Sequence, residues 1–172
     1  TIHMLINQGA VGAGRVFEVI DAEPSIKESD SVPNLSIKKG DIKFQNVSFS
    51  YPKTQAEAIK NINISINGGS LAALVGHSGA GKSTIVNLLP RFYDPQEGEV
   101  KIDGKNISDV TLSSLRQNIS MVSQDVILFD DTVRANILYA NMSASEEQIK
   151  KACDLAAASD FIEELPNSYE TI

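Results

Sequence analysis

The sequence predicts an α/β fold in which an antiparallel β subdomain adjoins a parallel α/β layer. Three observations carry that prediction. Residues 42–66 alternate apolar and polar side chains, Leu71–Val75 is a short and wholly apolar run, and a helical pattern opens after the glycine-rich stretch that follows it. At 172 residues with 42% apolar and 22% charged side chains, the chain can bury the core of one domain and still carry a short appendage. Fifteen Lys and Arg against 22 Asp and Glu leave a net charge of −7, which argues against a nucleic-acid binder, since that would need a basic face. The single cysteine, Cys153, excludes an internal disulfide framework and fits a reducing compartment. No uncharged apolar run reaches the roughly 18 residues of a bilayer span. Thr1–Gly14 lacks the basic start of a secretory signal. The expectation is a soluble, cytoplasmic, acidic globular segment.

Along the chain, Ile2, Leu5, Ile6, Val16, Phe17 and Ile20 fall on one helical stripe with small residues at its middle. They predict a helix over residues 1–20, either an amphipathic leader or the end of a longer helix. Residues 21–39 hold Pro24 and Pro33 among serines and charges and read as a linker. From residue 40 onward, Ile42 and Phe44, then Val47, Phe49 and Tyr51, predict a strand whose phase slips near Asn46, so a bulge is expected there. Ile62, Ile64 and Ile66 predict a second strand, and Asn67-Gly68-Gly69 a tight turn. Leu71–Val75 predicts a strand buried on both faces. Ser83–Phe92 predicts a helix ending near Pro95. Val100 and Ile102, then Asp103-Gly104 and Ile107, predict a hairpin, and Ile119–Val122 a further strand. Ser143 with Glu146 predicts a capping box opening a helix that carries Ile149, Ala152, Cys153 and Ala156; Ile162 and Leu165 predict a short helix before Pro166.

Gly76-His77-Ser78-Gly79-Ala80-Gly81-Lys82-Ser83 satisfies the phosphate-loop pattern G-x-x-x-x-G-K-[ST], with an apolar run leading in and a helix leading out. Glycines let the backbone curl so that successive N–H groups face an anion, and a helix starting near Gly81 adds its positive dipole end. In that arrangement Lys82 bridges the β- and γ-phosphates, the Ser83 hydroxyl holds Mg²⁺, and Thr84 reaches the α-phosphate. Guanine recognition through [NT]-K-x-D is disfavoured, because the nearest string is Val100-Lys101-Ile102-Asp103. Tyr51, ahead of Pro52, could offer an aromatic face to adenine or could simply pack at the strand end.

These segments together resemble the nucleotide-binding domain of an ATP-binding cassette (ABC) transporter, in the branch of lipid flippases and multidrug or peptide exporters. Val47–Pro52 resembles the strand carrying the family's adenine-stacking aromatic, Gly76–Thr84 its Walker A loop, and Leu89–Gly98 with Val100–Gly104 the segment that follows in exporters. Ser123–Phe129 resembles the Q-loop, and Asp131–Ile137 continues the pattern. The resemblance implies a P-loop NTPase cassette fold with an antiparallel β subdomain. It implies ATP and Mg²⁺ as ligands, with Gln124 near Mg²⁺ and the attacking water and in the relay to a membrane domain. Lys82 and Gln124 would be the catalytic residues. The resemblance further implies that residues 1–20 are the cytoplasmic end of a last transmembrane helix, 21–39 a linker, and 40–172 the N-terminal part of the cassette. Implied partners are the protein's own transmembrane domain and a second cassette in a head-to-tail dimer, at the cytoplasmic face of a membrane, a bacterial inner membrane being the first expectation.

The 172 residues contain no L-S-G-G-Q signature, no Walker B acid followed by a catalytic Glu, and no switch histidine, since the only histidines are His3 and His77. The expectation is a cassette truncated before the signature, which binds ATP without turnover and leaves Leu71–Val75 short of strand partners. Two alternatives stand beside it. Val126–Phe129 followed by Asp130 has the bare Walker B pattern and would make a self-contained small NTPase. The other is an importer cassette, disfavoured by the N-terminal helix and by Arg91–Pro95.

Overall fold

The computed structural model describes residues 2–29, 31–52, 54 and 56–172; for residues 2–8 only the backbone is described, so the stripe positions Ile2, Leu5 and Ile6 lie outside the described side chains. The chain divides into two compact units, 1–120 and 121–172.

The first unit is built on a four-stranded antiparallel sheet. It contains α1 (Ile2–Ile20), β1 (Ile42–Phe49), β2 (Ile59–Ile66), α2 (Lys82–Leu88), β3 (Glu97–Ile102), β4 (Lys105–Asn106) and α3 (Leu112–Gln117), with strand order β2-β1-β3-β4. On β1, Ile42 and Phe44 pair with Ile66 and Ile64 of β2 on one side and with Ile102 and Val100 of β3 on the other. Both registers slip between Phe44 and Ser48, and Asn46 takes a φ of 49°, so the bulge expected at Asn46 is present. Gly98 accommodates it. Its φ is +79°, and a Cβ there would lie 2.3 Å from the Gln45 carbonyl oxygen and 2.4 Å from that of Asn46. The core runs from Phe44, Val47, Phe49 and Val100 of the alternating strands through Leu88 of α2 and Leu115 of α3, with Val110 from the connection ahead of α3.

Among the described residues of 21–39 there is no helix or strand, yet the segment is held at several points. Leu35 is buried; its N–H donates to Ser114 Oγ (2.8 Å), and the Pro33 carbonyl accepts from Thr111 N (3.1 Å). Asp103, at the β3–β4 turn, accepts from the N–H groups of Lys38, Lys39, Gly40 and Asp41 at 2.6–3.0 Å. Those donors, the Lys38 and Lys39 amides foremost, hold its carboxyl well below the usual carboxylate range.

Four expectations are corrected. Leu71–Val75 is irregular backbone, and Leu71 and Val75 are 102% and 93% exposed. An apolar run becomes a strand only by pairing, and among the described residues no strand lies beside it, so the parallel layer is not formed. Ile119–Val122 is likewise no strand. Helix α2 ends at Leu88 rather than Phe92, and Arg91 takes a φ of +54° as the chain turns off. The capping box lies two residues later than expected. Ser145 accepts from Gln148 N and Gln148 Oε1 accepts from Ser145 N, while Ser143 donates to Asn141 Oδ1.

The second unit packs α4 (Val133–Leu138), α5 (Glu146–Leu155) and α6 (Ser159–Glu163) around Ile149, Cys153 and Ile162. Arg134 pairs with both Glu146 and Glu170. Among the described residues, no helix is long and apolar enough to cross a membrane.

Candidate functional site

The glycine-rich loop makes a concave site at the start of α2. Ser78–Thr84, with Tyr51 and Ala58, line a cavity of about 300 Å³. Gly79 and Gly81 take φ values of +79° and +83°, a backbone curl that residues with a Cβ resist. Their surroundings differ. A Cβ at Gly79 would meet open space, whereas one at Gly81 would lie 2.5 Å from Ile59 Cγ2 and 2.8 Å from the Ala58 carbonyl oxygen. Gly81 therefore lets the loop settle onto the first residue of β2, which connects the sheet register directly to the loop's position.

Lys82 folds its ammonium back across the loop, donating to the carbonyls of Gly76 (2.8 Å) and His77 (2.7 Å). An ammonium has three N–H donors, so one is left over after these two bonds. Ala80 N donates to the His77 carbonyl (3.2 Å), and His77 Nδ1 lies 2.8 Å from the Ser78 carbonyl oxygen. Ser83 is exposed in the first turn of α2. Its neutral hydroxyl is the hard oxygen donor that Mg²⁺ accepts alongside phosphate oxygens and waters, so the loop fits such an ion.

Tyr51 is fixed on three sides. Its ring meets Phe49 and Tyr93 edge-on, with centroids 5.0 and 5.2 Å away, and its hydroxyl lies 3.2 Å from Thr84 Oγ1. Tyr51 and the loop, anticipated separately from sequence, thus stand around one cavity. Gln124 lies in the second unit, exposed, in the irregular stretch that runs through Val126–Phe129. No strand forms there ahead of Asp130. That unit has a larger, apolar cavity of about 580 Å³, but its lining includes Asp130 and Asp131 and no Lys or Arg, so it is unsuited to phosphate.

Two arginines that sequence reading assigned no site role secure the far end of α2. Arg91, 5% exposed, donates to Asp94 Oδ1 (2.7 Å) and Oδ2 (3.1 Å), which raises its own basicity further. It also reaches the carbonyls of Lys27 and Ser108, both at 3.4 Å. Arg116 donates to the carbonyls of Pro90 (3.1 Å) and Arg91 (3.0 Å) and lies over the Phe92 ring. Cations there complement the carbonyl end of the helix. The signal for Arg91 was its spacing to Asp94, read only as part of a family pattern.

A glycine-rich phosphate loop beside an antiparallel sheet defines a nucleotide-binding α/β domain. The ABC transporter family model matches residues 59–171, and the chain belongs to that family. It is 45% identical over 170 residues to an ATP-dependent lipid A-core flippase of Desulfotalea psychrophila, covering 99% of this chain and 29% of the relative. A second ATP-dependent lipid A-core flippase, of Syntrophus aciditrophicus, is 46% identical over 171 residues, covering 99% of this chain and 28% of that one. The solved structure of a bacterial Atm1-family ABC exporter with ATP bound superposes with a TM-score of 0.87 at 40% identity, covering 96% of this chain and 29% of the exporter's. The fold is the nucleotide-binding fold of ABC exporters, and the chain spans under a third of the length of these relatives.

Proposed function

We propose that this chain binds Mg²⁺-ATP at the Gly76–Thr84 loop, as the nucleotide-binding part of an exporter in which ATP binding and hydrolysis drive a substrate across a membrane. The cavity that gathers Tyr51 and Ser78–Thr84 carries the reading. Loop N–H groups and Lys82 bind the phosphates, Ser83 supplies an oxygen to Mg²⁺, Thr84 meets the α-phosphate, and Tyr51 stacks on the base. The bound ion neutralises phosphate charge. Gln124 is assigned to the attacking water and to coupling with the membrane domain, on the strength of its place in the Ser123–Phe129 segment.

The wider assignments rest on the same resemblance. They are residues 1–20 as the cytoplasmic end of a transmembrane helix, residues 21–39 as the connection to a cassette beginning at residue 40, and a head-to-tail partner cassette at the cytoplasmic face of a bacterial inner membrane. Taken alone, the 172 residues are proposed to bind ATP without meaningful turnover, because positioning the water and stabilising the transition state dominate phosphoryl transfer. Lys82 and Gln124 are the candidates the resemblance offers for that work.

Displacement of a fluorescent ATP analogue tests the site. ATP is expected to compete, GTP less well, and Lys82→Ala to weaken binding at least about tenfold, the effect of losing a charge-assisted bond to phosphate. Equal binding by Lys82→Ala would overturn the assignment.

A further inference from the structure

The contact between Tyr51 and Thr84 gives the tyrosine hydroxyl a role that ring stacking would not require. The two oxygens are 3.2 Å apart, Thr84 is 5% exposed, and both residues line the cavity at the phosphate loop. Thr84 lies in the first turn of α2, two residues after Lys82. A phenol is a stronger hydrogen-bond donor and a weaker acceptor than an aliphatic alcohol, because its lone pairs delocalise into the ring. The favoured direction is therefore Tyr51 Oη–H donating to Thr84 Oγ1. With its oxygen accepting that bond, the threonine keeps its own proton for a second acceptor.

We infer that Tyr51 is a positioning residue for the phosphate arm: its hydroxyl orients the Thr84 hydroxyl so that Thr84 donates to a phosphate oxygen of the bound nucleotide. The inference rests on the nucleotide reading above and extends it from the base to the phosphates. The flanking rings of Phe49 and Tyr93 hold Tyr51 in register with Thr84. The Tyr51–Thr84 contact also ties the end of β1 to the start of α2 through two side chains.

The test is calorimetric titration of the chain with Mg²⁺-ATP and, separately, with Mg²⁺-tripolyphosphate, which has no base to stack. Tyr51→Phe keeps the ring and loses the hydroxyl. It is expected to weaken both ligands by the same factor, about threefold to tenfold, as the loss of one oriented hydrogen bond would. Thr84→Val should do the same, and Tyr51→Phe/Thr84→Val should lose little beyond Thr84→Val alone. Unchanged tripolyphosphate binding in Tyr51→Phe, or losses that simply add in the double variant, would overturn the inference while leaving the nucleotide site standing. Failure of the unaltered chain to bind either ligand would overturn the nucleotide reading itself.

Discussion

Gly79 and Gly81 share a left-handed backbone within one loop but differ in what surrounds them, so alanine at each separates backbone strain from steric contact. A residue with a Cβ pays about 1–2 kcal/mol for the left-handed region. A stiffer unfolded chain offsets about 0.4–1 kcal/mol of that. Gly79→Ala meets open space and should cost about 1 kcal/mol or less in folding stability. Gly81→Ala carries the same strain and also pushes a methyl to 2.5 Å from Ile59 Cγ2 and 2.8 Å from the Ala58 carbonyl oxygen. Overpacking of that kind costs a further ~1–3 kcal/mol. The total for Gly81→Ala is then about 1–4 kcal/mol. Urea unfolding followed by far-UV circular dichroism would measure both, with the slope of the transition unchanged and the midpoint of Gly81→Ala well below that of Gly79→Ala. Equal midpoints would refute the close seating of the loop on β2.

Three other perturbations have definite expected outcomes. Asp103→Asn should lower the urea midpoint at neutral pH. The folded carboxyl is held below its ordinary value, so its contribution is present above about pH 4 and fades as the pH falls further; the gap between variant and parent should narrow in acid. Asp94→Ala leaves the buried Arg91 guanidinium without its bidentate partner and should cost about 1.5–3 kcal/mol by the same assay, since hydrogen bonds to charged groups are worth that much. Ser145→Ala removes one half of the α5 capping box and should cost ~1 kcal/mol, read from hydrogen exchange at Gln148 and Ile149.

Local chemistry that repeats or punctuates the sequence was legible. The phase slip at Asn46 announced the bulge, although the carbonyls that exclude a side chain at Gly98 could be seen only once β3 lay beside β1. The phosphate loop was legible because its residue types answer one chemical demand over a short span. Pairing was harder to read. The apolar content of Leu71–Val75 signals a preference for burial but does not say which strand would provide it, and none does among the described residues. Long-range polar contacts were invisible for a similar reason. Asp103 reads as half of an Asp-Gly turn, yet its carboxylate also gathers four amides from a segment some sixty residues earlier. Pro24 and Pro33 lie in irregular backbone, and the buried Leu35 beside them shows that irregular chain can still belong to the core. Ser143 with Glu146 satisfied the capping pattern in sequence, two residues ahead of the cap that forms. The structure uses Ser145, whose box with Gln148 leaves Ile149 and Cys153 on the buried face of α5.

The most direct measurement is a calorimetric titration of this chain with Mg²⁺-ATP, with released phosphate assayed in the same sample. Saturable binding that disappears in Lys82→Ala, with no phosphate above the protein-free control, is the predicted result. Absence of binding would contradict the assignment of the loop as a nucleotide site, and phosphate release by the unaltered chain would contradict the claim that these residues bind ATP without turning it over.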